Sequence, residues 1–392
     1  MKLTTNVVFQ CSLGLTLLAG CSDDTAPPRF AAVAPGNDGI YHIHPGENIQ
    51  SAIESAAKDP INKTVRVHAG TYRPSGRGQA LIWFNRKHDG VVLQADGDVV
   101  LTAANKEIAD KSAKSYPAVV NHVIFFGDGI TEKTIIRGFK VTGANNFVVT
   151  TEGPNSIEPD SPIPALEKGL FFYADGGGIK VFGRSYPTIL NMEISDNYTS
   201  PCGGGISIEQ AGFNTHPVTI KNCIFRDNRC QITGSAVDVL VGSSATISNC
   251  LFTGNVSNTG VNYIGGSDNP YNEEHGCGAL TVFPNSRVTV DRCTFTGNWN
   301  GADDKGMENA YTNSIFWMNT KKGGISPKDR YELDLLDGSN VRGCFLGGST
   351  SDLRGTIDPS ANTLDASDPV FDDLIVPQAV EYSDVGYRPD SR

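Results

Sequence analysis

The ten-residue stretch TIKNCIFRDN, at residues 219–228, recurs along the chain and decides the fold. Copies follow its pattern closely: TILNMEISDN at 188–197, TISNCLFTGN at 246–255, TVDRCTFTGN at 289–298 and a shorter NSIFWMN at 313–319. Each copy alternates apolar and polar residues over a strand length and closes on an asparagine. The pattern predicts a strand and then a turn, whose asparagine is left-handed and stacks on its neighbours. Repetition of this kind is typical of a solenoid.

Two inward positions of the repeat predict how the narrow core is filled. The first position is held by Met192, Cys223, Cys250, Cys293 and Ser314, and the next by Ile194, Phe225, Phe252, Phe295 and Phe316. Stacked identical residues fill the interior of a solenoid. A single inward column lacks the paired spacing of a zinc site, so the cysteines are predicted to be core residues.

A second, glycine-rich strand precedes most copies of the repeat. It reads GGIKV at 177–181, GGISI at 204–208, SAVDV at 235–239 and GALTV at 278–282. Each coil therefore has at least two strands, and parallel crossovers of this kind are right-handed. The predicted fold class is all-β, a right-handed parallel β-helix.

Three further segments resemble a known family. The stretches HPGENIQ at 44–50 and VRVHAGTY at 65–72 are similar to the opening of the pectin-lyase-like β-helix superfamily, and DPVF at 368–371 is similar to its closing tail. The likeness extends over about residues 40–375. It implies a short helix that caps the first coil. It also implies a range of activities, because the superfamily includes lyases, glycosidases, epimerases, adhesins and tail spikes.

The N-terminus predicts export. Residues 1–21 have a positive start, a short apolar run and a small-residue exit, and the closing LAGC resembles a bacterial lipobox. The lipobox implies lipidation of Cys21 and anchoring at the outer membrane; cleavage as an ordinary secretory signal is the alternative. Residues 22–37 are predicted to be a linker, and residues 38–392 a single β-helix domain.

Composition limits the partners. The net charge of −11 argues against nucleic acid, whose phosphates require a basic face. We expect a monomer without a resident metal or cofactor. Calcium bound by Asp268, Asp303 and Asp304 is a weak alternative without a supporting spacing. Cys202 and Cys230 precede successive glycine-rich strands, and their spacing leaves a disulfide open.

Two long insertions, at about 145–175 and 256–276, interrupt the repeat. Both leave after the asparagine turn and return before the glycine-rich strand, so we expect them on the same edge, three coils apart. At roughly 4.8 Å per strand the gap is about 14 Å, a trough for roughly three sugar units. Two loops without a role are the plainer alternative. The segment 299–305 is expected to close the far end.

The trough floor is predicted from the outward positions of the glycine-rich strands. One column is Lys180, Ser207, Asp238 and Thr281, and the other is Phe182, Glu209, Leu240 and Phe283. The candidate catalytic residues are Glu209, Asp238, Lys180, Arg184 and His275. A carboxylate among apolar neighbours is a candidate acid because desolvation raises its pKa. Solvated surface charge and an exposed loop histidine are the plainer alternatives. The candidate substrate-binding residues are Tyr173, Asp175, Phe182, Tyr271, Glu273, Phe283 and Trp299.

Three functions remain open. The pectinase signatures Asn-Thr-Asp, Gly-His-Gly and Arg-x-Pro-x-x-Arg are missing, which argues against a standard pectinase. The favoured hypothesis is a polysaccharide lyase that cleaves an acidic extracellular polysaccharide by β-elimination, since the chain looks similar to exopolysaccharide lyases of the biofilm matrix. The alternatives are a glycoside hydrolase with paired carboxylates and a non-catalytic surface adhesin or matrix-binding protein.

Overall fold

The computed structural model of the chain describes residues 30–145, 174–199, 202–257, 278–319, 331–347 and 353–389. Helix α1 spans Ile49–Lys58, and two 3₁₀ turns span Arg86–His88 and Val380–Tyr382. The other named elements in these ranges are strands. No helix within them is long and apolar enough to cross a membrane.

The strands follow one another in short runs. The first ten are β1 (Tyr41–Ile43), β2 (Thr64–Tyr72), β3 (Gly78–Phe84), β4 (Val92–Thr102), β5 (Val120–Phe126), β6 (Ile135–Arg137), β7 (Lys140–Thr142), β8 (Ile179–Phe182), β9 (Thr188–Leu190) and β10 (Glu193–Ser195). The next ten are β11 (Tyr198–Thr199), β12 (Ile206–Glu209), β13 (Val218–Lys221), β14 (Ile224–Arg226), β15 (Arg229–Cys230), β16 (Val237–Val239), β17 (Ser244–Ser248), β18 (Leu251–Thr253), β19 (Leu280–Val282) and β20 (Arg287–Asp291). The last nine are β21 (Thr294–Thr296), β22 (Ala302–Asp304), β23 (Ala310–Thr312), β24 (Ile315–Trp317), β25 (Leu333–Leu335), β26 (Val341–Arg342), β27 (Phe345–Leu346), β28 (Leu353–Arg354) and β29 (Thr363–Leu364).

Each regular coil has three faces. The first face pairs β6, β9, β13, β17, β20, β23 and β26 in order, and the second pairs β7, β10, β14, β18, β21, β24, β27 and β29. The third face is a nine-stranded sheet in the order β3, β5, β8, β12, β16, β19, β22, β25, β28. All these pairings are parallel, which confirms the predicted β-helix.

The repeat itself contains two strands, where the sequence predicted one. In TIKNCIFRDN, β13 and β14 are separated by a bend at Asn222, whose φ is +57°. The turn after β14 is also left-handed, but at Asp227 (φ +54°) and not at Asn228. The assignment of the left-handed conformation to the closing asparagine was therefore wrong. That asparagine is free to use its side chain along the helix axis.

The closing asparagines form a continuous column, which we call the asparagine ladder: Asn197, Asn228, Asn255, Asn298 and Asn319. Each Nδ2 donates to the Oδ1 of the next asparagine, at 3.1, 3.1, 2.8 and 2.7 Å in order. Each acceptor oxygen also receives the backbone N–H of the asparagine below it. The carboxylate of Glu332 accepts the backbone N–H and the side-chain amide of Asn319, and so ends the ladder. The predicted stacking is therefore confirmed.

The core columns are also as predicted. The rings of Phe225, Phe252, Phe295 and Phe316 stack with centroids 4.8, 4.1 and 4.6 Å apart. The column of Cys223, Cys250 and Cys293 is fully buried beside them. Burial of each phenylalanine contributes about 2–3 kcal/mol, so this column is a main source of stability. None of the six cysteines in the described ranges, Cys202 and Cys230 included, forms a disulfide.

Helix α1 covers the N-terminal end of the core. Asn48 caps it by accepting the N–H of Ser51 at 3.1 Å, and its apolar residues Ile49, Ala52 and Ile53 are buried against the first coil. A cap of this kind closes the edge that the first strands expose. The helix implied by the opening segment is present.

Candidate functional site

The outward column predicted on the glycine-rich strands exists. Lys180, Ser207, Asp238 and Thr281 are aligned across β8, β12, β16 and β19, and Asp303 of β22 extends the column. We call these five residues the polar row. In the neighbouring column Glu209 is paired with Phe182. The inward side chains of the same strands, such as Ile206 and Val237, lie in the core.

The polar row is not the open trough floor that the sequence predicted. All five side chains are fully buried. Part of the reason is the turn that enters each strand. Gly203 and Gly234 have φ values of +69° and +63°, and a Cβ on Gly234 would lie 2.6 Å from the Cβ of Asp238. The turn folds back over the outward side chain, and only glycine allows that approach.

A buried ion pair lies at the first step of the row. Lys180 Nζ is 2.7 Å from Glu209 Oε2 and donates to Ser207 Oγ at 3.3 Å. The Lys180 side chain is 0% exposed, whereas that of Glu209 is 22% exposed. Burial of an ammonium group requires such a partner. Glu209 is therefore the point at which the buried charges meet the surface.

Asp175 lies in the turn before β8, close enough to both charges to respond to them. Burial raises its pKa to about 7, the positive charge of Lys180 opposes this shift, and the negative charge of Glu209 adds to it. Its Oδ1 accepts the backbone N–H of Cys202 at 3.3 Å, and its Oδ2 has no hydrogen-bond partner among the described residues. Near neutral pH this carboxyl group is poised to hold or release a proton.

Two further carboxyl groups in the row differ in their hydrogen bonds. Burial raises the pKa of Asp238 well above its usual range, the charges of Asp175 and Asp303 raise it further, and its oxygens accept no hydrogen bond of good geometry in the described ranges. Asp303 Oδ2 instead accepts the hydroxyls of Thr281 at 3.0 Å and Tyr331 at 2.9 Å, and the N–H of Gly278 at 2.6 Å. Burial still raises the pKa of Asp303 to about 7.

Arg184 forms its ion pair outside this cluster, with Asp128. Its Nε donates to Asp128 Oδ1 at 3.0 Å, and Arg86 binds the same carboxylate at 3.0 Å. Asp128 is almost fully buried, so it holds both guanidinium groups in place. The structure therefore places the charge of Arg184 on Asp128, not in the trough where the sequence predicted it.

The predicted aromatic residues are packed rather than exposed. Phe182 joins an apolar cluster with Trp83 and Phe125, and Phe283 and Trp299 are also buried. The segment 299–305 does not close a trough, because it contains β22 and continues the third face. The predicted sites at Tyr173, Tyr271, Glu273, His275 and Cys21 lie outside the described residues, as do nearly all of both insertions.

The proposed calcium ligands do not converge. Asp303 faces outward in the polar row. Asp304 faces the opposite way and accepts Tyr311 Oη at 2.9 Å, because successive side chains of a strand alternate. Asp268 lies outside the described residues. Within the described ranges no group of three or more histidine, cysteine, aspartate or glutamate side chains is arranged to hold a metal.

Two residues beside the site were not predicted as site residues: His122, and Cys202, which the sequence analysis considered only for a disulfide. His122 is buried on β5, where Nδ1 is 2.7 Å from the carbonyl oxygen of Gly176, next to Asp175. Strand β5 has no glycine-rich entry, so its sequence does not reveal that it belongs to the third face. Cys202 occupies the turn position of Asp175 one coil later, because Gly176 N–H binds its carbonyl oxygen at 3.2 Å. Alignment of the turns before the glycine-rich strands in the sequence could have shown that Cys202 occupies the position of Asp175.

Comparison with protein families supports the β-helix fold. The family described as the right handed beta helix region matches residues 84–275. The crystal structure of pectate lyase Pel9A is similar with a TM-score of 0.40 and 13% identity, over 87% of this chain and 81% of that chain. No curated protein matches. The chain is a right-handed parallel β-helix protein. Because one scaffold supports many activities, its function has to be argued from the site.

Proposed function

We propose that the chain is a carbohydrate-active enzyme that hydrolyses glycosidic bonds with the carboxyl groups of Asp175 and Glu209. The observation that carries the proposal is their unequal environment. Asp175 is buried with a pKa of about 7, whereas Glu209 is partly exposed and ion-paired with Lys180. Two carboxyl groups whose environments differ in this way are the pattern of acid–base catalysis.

Each group has a defined part in this mechanism. The Asp175 carboxyl, which is fully buried in this structure, gives its proton to the glycosidic oxygen of a polymer that enters beside the partly exposed Glu209, as the bond to the anomeric carbon breaks. The Glu209 carboxylate takes a proton from the water that attacks that carbon. Lys180 orients Glu209 through their contact at 2.7 Å. The partial exposure of Glu209 supports entry of the polymer from this side.

A polysaccharide lyase is the second candidate, and the buried ammonium of Lys180 favours it. Elimination needs a cation to neutralise the uronate carboxyl group, a base and a proton donor. The cluster around Lys180 also contains Glu209, a candidate base, and Asp175, a candidate proton donor. Hydrolysis ranks first because both cations of the lyase hypothesis are already engaged, Lys180 by Glu209 and Arg184 by Asp128.

The test is cleavage of a panel of acidic and neutral exopolysaccharides by the purified protein. Hydrolysis produces new reducing ends without ultraviolet absorbance of an unsaturated uronate, whereas elimination produces both. Glu209→Gln is expected to lower the rate about 100-fold or more, with Glu193→Gln as the control on another face. Equal rates for the two variants would refute the assignment. Binding without cleavage would leave the adhesin alternative.

We also propose that the enzyme acts outside the cytoplasm, attached to the outer membrane through a lipid on Cys21. The support is the LAGC motif at 18–21 and the polar linker behind it. Labelled palmitate should be incorporated into the wild-type chain and not into Cys21→Ser. Equal labelling of the two would reject the anchor.

A further inference from the structure

Two histidines near the N-terminal end of the coil lie between two aspartates in one line of polar contacts, Asp38–His42–His68–Asp96. We call His42 and His68 the histidine pair. They lie on the paired strands β1 and β2, and Asp96 lies on β4, which pairs with β2. These strands belong to a different sheet from the polar row.

The histidine pair brings two imidazole nitrogens together. His42 Nδ1 is 2.9 Å from His68 Nε2, and the planes of the two rings differ by only 11°. A hydrogen bond at this distance needs a proton on one nitrogen, which points at the lone pair of the other. A metal ion bound to both nitrogens would take the place of that proton, because ligand imidazoles coordinate through an unprotonated nitrogen.

The outer nitrogens of both rings already have carboxylate partners. His42 Nε2 is 3.1 Å from Asp38 Oδ2, and His68 Nδ1 is 3.0 Å from Asp96 Oδ2. Histidines that bind metal ions usually have such a partner, because it fixes the ring and makes the inner nitrogen a better ligand. The ring of His44 also lies parallel to that of His68, with centroids 4.4 Å apart, and limits its rotation.

The pair is accessible and needs little adjustment to hold an ion. The side chain of His42 is 29% exposed and that of His68 is 26% exposed, so a hydrated ion can reach both. Zinc–nitrogen bonds of about 2.0–2.1 Å at a tetrahedral angle place two ligand nitrogens about 3.3 Å apart. The inner nitrogens therefore have to separate by only about 0.4 Å, with a small rotation of the partly exposed rings.

We propose that His42 and His68 bind a divalent transition-metal ion, with water in the remaining coordination positions. Two imidazoles favour Zn²⁺, Cu²⁺ or Ni²⁺ over Ca²⁺ and Mg²⁺, which prefer oxygen ligands. In the described ranges no group of three or more such ligands is arranged around one ion, so the bound ion is exchangeable and differs from a closed structural zinc. The site does not depend on the proposed cleavage reaction.

The test is calorimetric titration of ZnCl₂ into the purified protein without a histidine tag. Zinc should also raise the thermal midpoint of unfolding, and EDTA should reverse the rise, because the ion binds only the folded pair. His42→Gln and His68→Gln should each weaken zinc binding about tenfold or more, since each leaves a single imidazole. His216→Gln, which changes an exposed histidine elsewhere on the surface, is the matched control and should bind zinc as the wild type does.

Two further measurements distinguish coordination from general attraction of cations. Asp96→Asn should weaken zinc binding about tenfold, because His68 loses the partner of its outer nitrogen. The electron paramagnetic resonance spectrum of bound Cu²⁺ should show two imidazole nitrogens in the wild type and one in His68→Gln.

The outcomes are independent of cleavage activity. Equal zinc affinity in His68→Gln and His216→Gln overturns the site, and so does a wild type that binds no zinc at about 1 mM. Binding of CaCl₂ that falls in His42→Gln as much as binding of ZnCl₂ overturns the assignment to a transition metal. Zinc binding that depends on both histidines supports the site even in a protein that cleaves nothing, and cleavage without zinc binding keeps the enzyme and rejects the site.

Discussion

The asparagine ladder and the polar row cross the same coils, and their side chains are partnered in opposite ways. In the ladder each amide donates to the next asparagine and accepts from the one below it. In the row, Asp238 has no good hydrogen bond within the described ranges, and one oxygen of Asp303 has none. Both columns are fully buried. The two columns therefore differ in whether their polar groups have hydrogen-bond partners, and not in exposure.

Energetically, the two columns act in opposite directions. A satisfied buried amide network contributes to stability and specifies the stacking of coils. A buried carboxyl group costs free energy when it ionises, even where one of its oxygens accepts hydrogen bonds as in Asp303, which explains why burial raises the pKa values of Asp175, Asp238 and Asp303. Proteins retain such groups mainly where chemistry requires a shifted pKa. The comparison therefore supports function in and beside the row, where Asp175 and Glu209 lie, and stability in the ladder.

Breaking the ladder should have the largest effect on stability. Asn255→Ala removes the acceptor of Asn228 and the donor to Asn298, and leaves several buried groups unsatisfied. At about 1–3 kcal/mol for each such group, the free energy of unfolding should fall by about 3–5 kcal/mol in urea. Asn340→Ala, whose side chain makes no hydrogen bond in the described ranges, is the control. A loss below about 1 kcal/mol would show that the ladder is dispensable.

Neutralising Asp175, a carboxyl group near the row, should instead raise the free energy of unfolding. Between pH 3.8 and about pH 7, the folded chain holds a proton on Asp175 that the unfolded chain has released, so stability falls as pH rises through this window. Asp175→Asn removes this loss. The variant should match the wild type below pH 4 and exceed it at pH 8 by up to about 4 kcal/mol.

Urea unfolding at both pH values measures this difference, with the exposed Asp373→Asn as the control. The same variant should lose cleavage activity, since it cannot donate the proton. A variant of Asp175 that is less stable than the wild type at pH 8 would show that the ionised carboxylate is favourable in the fold.

The repeated positions were predictable because a period in sequence becomes a column in space. Alignment of the copies alone placed Phe225 under Phe252 and Lys180 beside Ser207. It also placed the asparagines in one stack, although the left-handed residue proved to be their predecessor. The apolar pattern shows where each strand ends, but it does not show which of the two turn residues adopts the left-handed φ.

The burial of the row was not predictable from the same pattern. Alternation tells which side chains leave the core, and it does not tell whether a turn folds back over them. That depends on Gly203 and Gly234, whose conformation brings each turn onto the outward side chain. The partner of Arg184 was hidden for a related reason, because Asp128 is 56 residues away in sequence and one coil away in space.

Arg184 therefore gives the finest test of the comparison, with the smallest expected effect. If Arg184 only binds Asp128 and does not contact substrate, Arg184→Ala should change the cleavage rate by less than about twofold. The variant should lower the free energy of unfolding by only about 1–2 kcal/mol, because Arg86 still binds Asp128. Lys180→Met, which removes the cation at Glu209, should lower the rate far more. Rates on the same substrate and urea unfolding of both variants make the measurement. Equal rate losses in the two variants would return Arg184 to the substrate, and would favour elimination over hydrolysis, since a second free cation would then face the uronate.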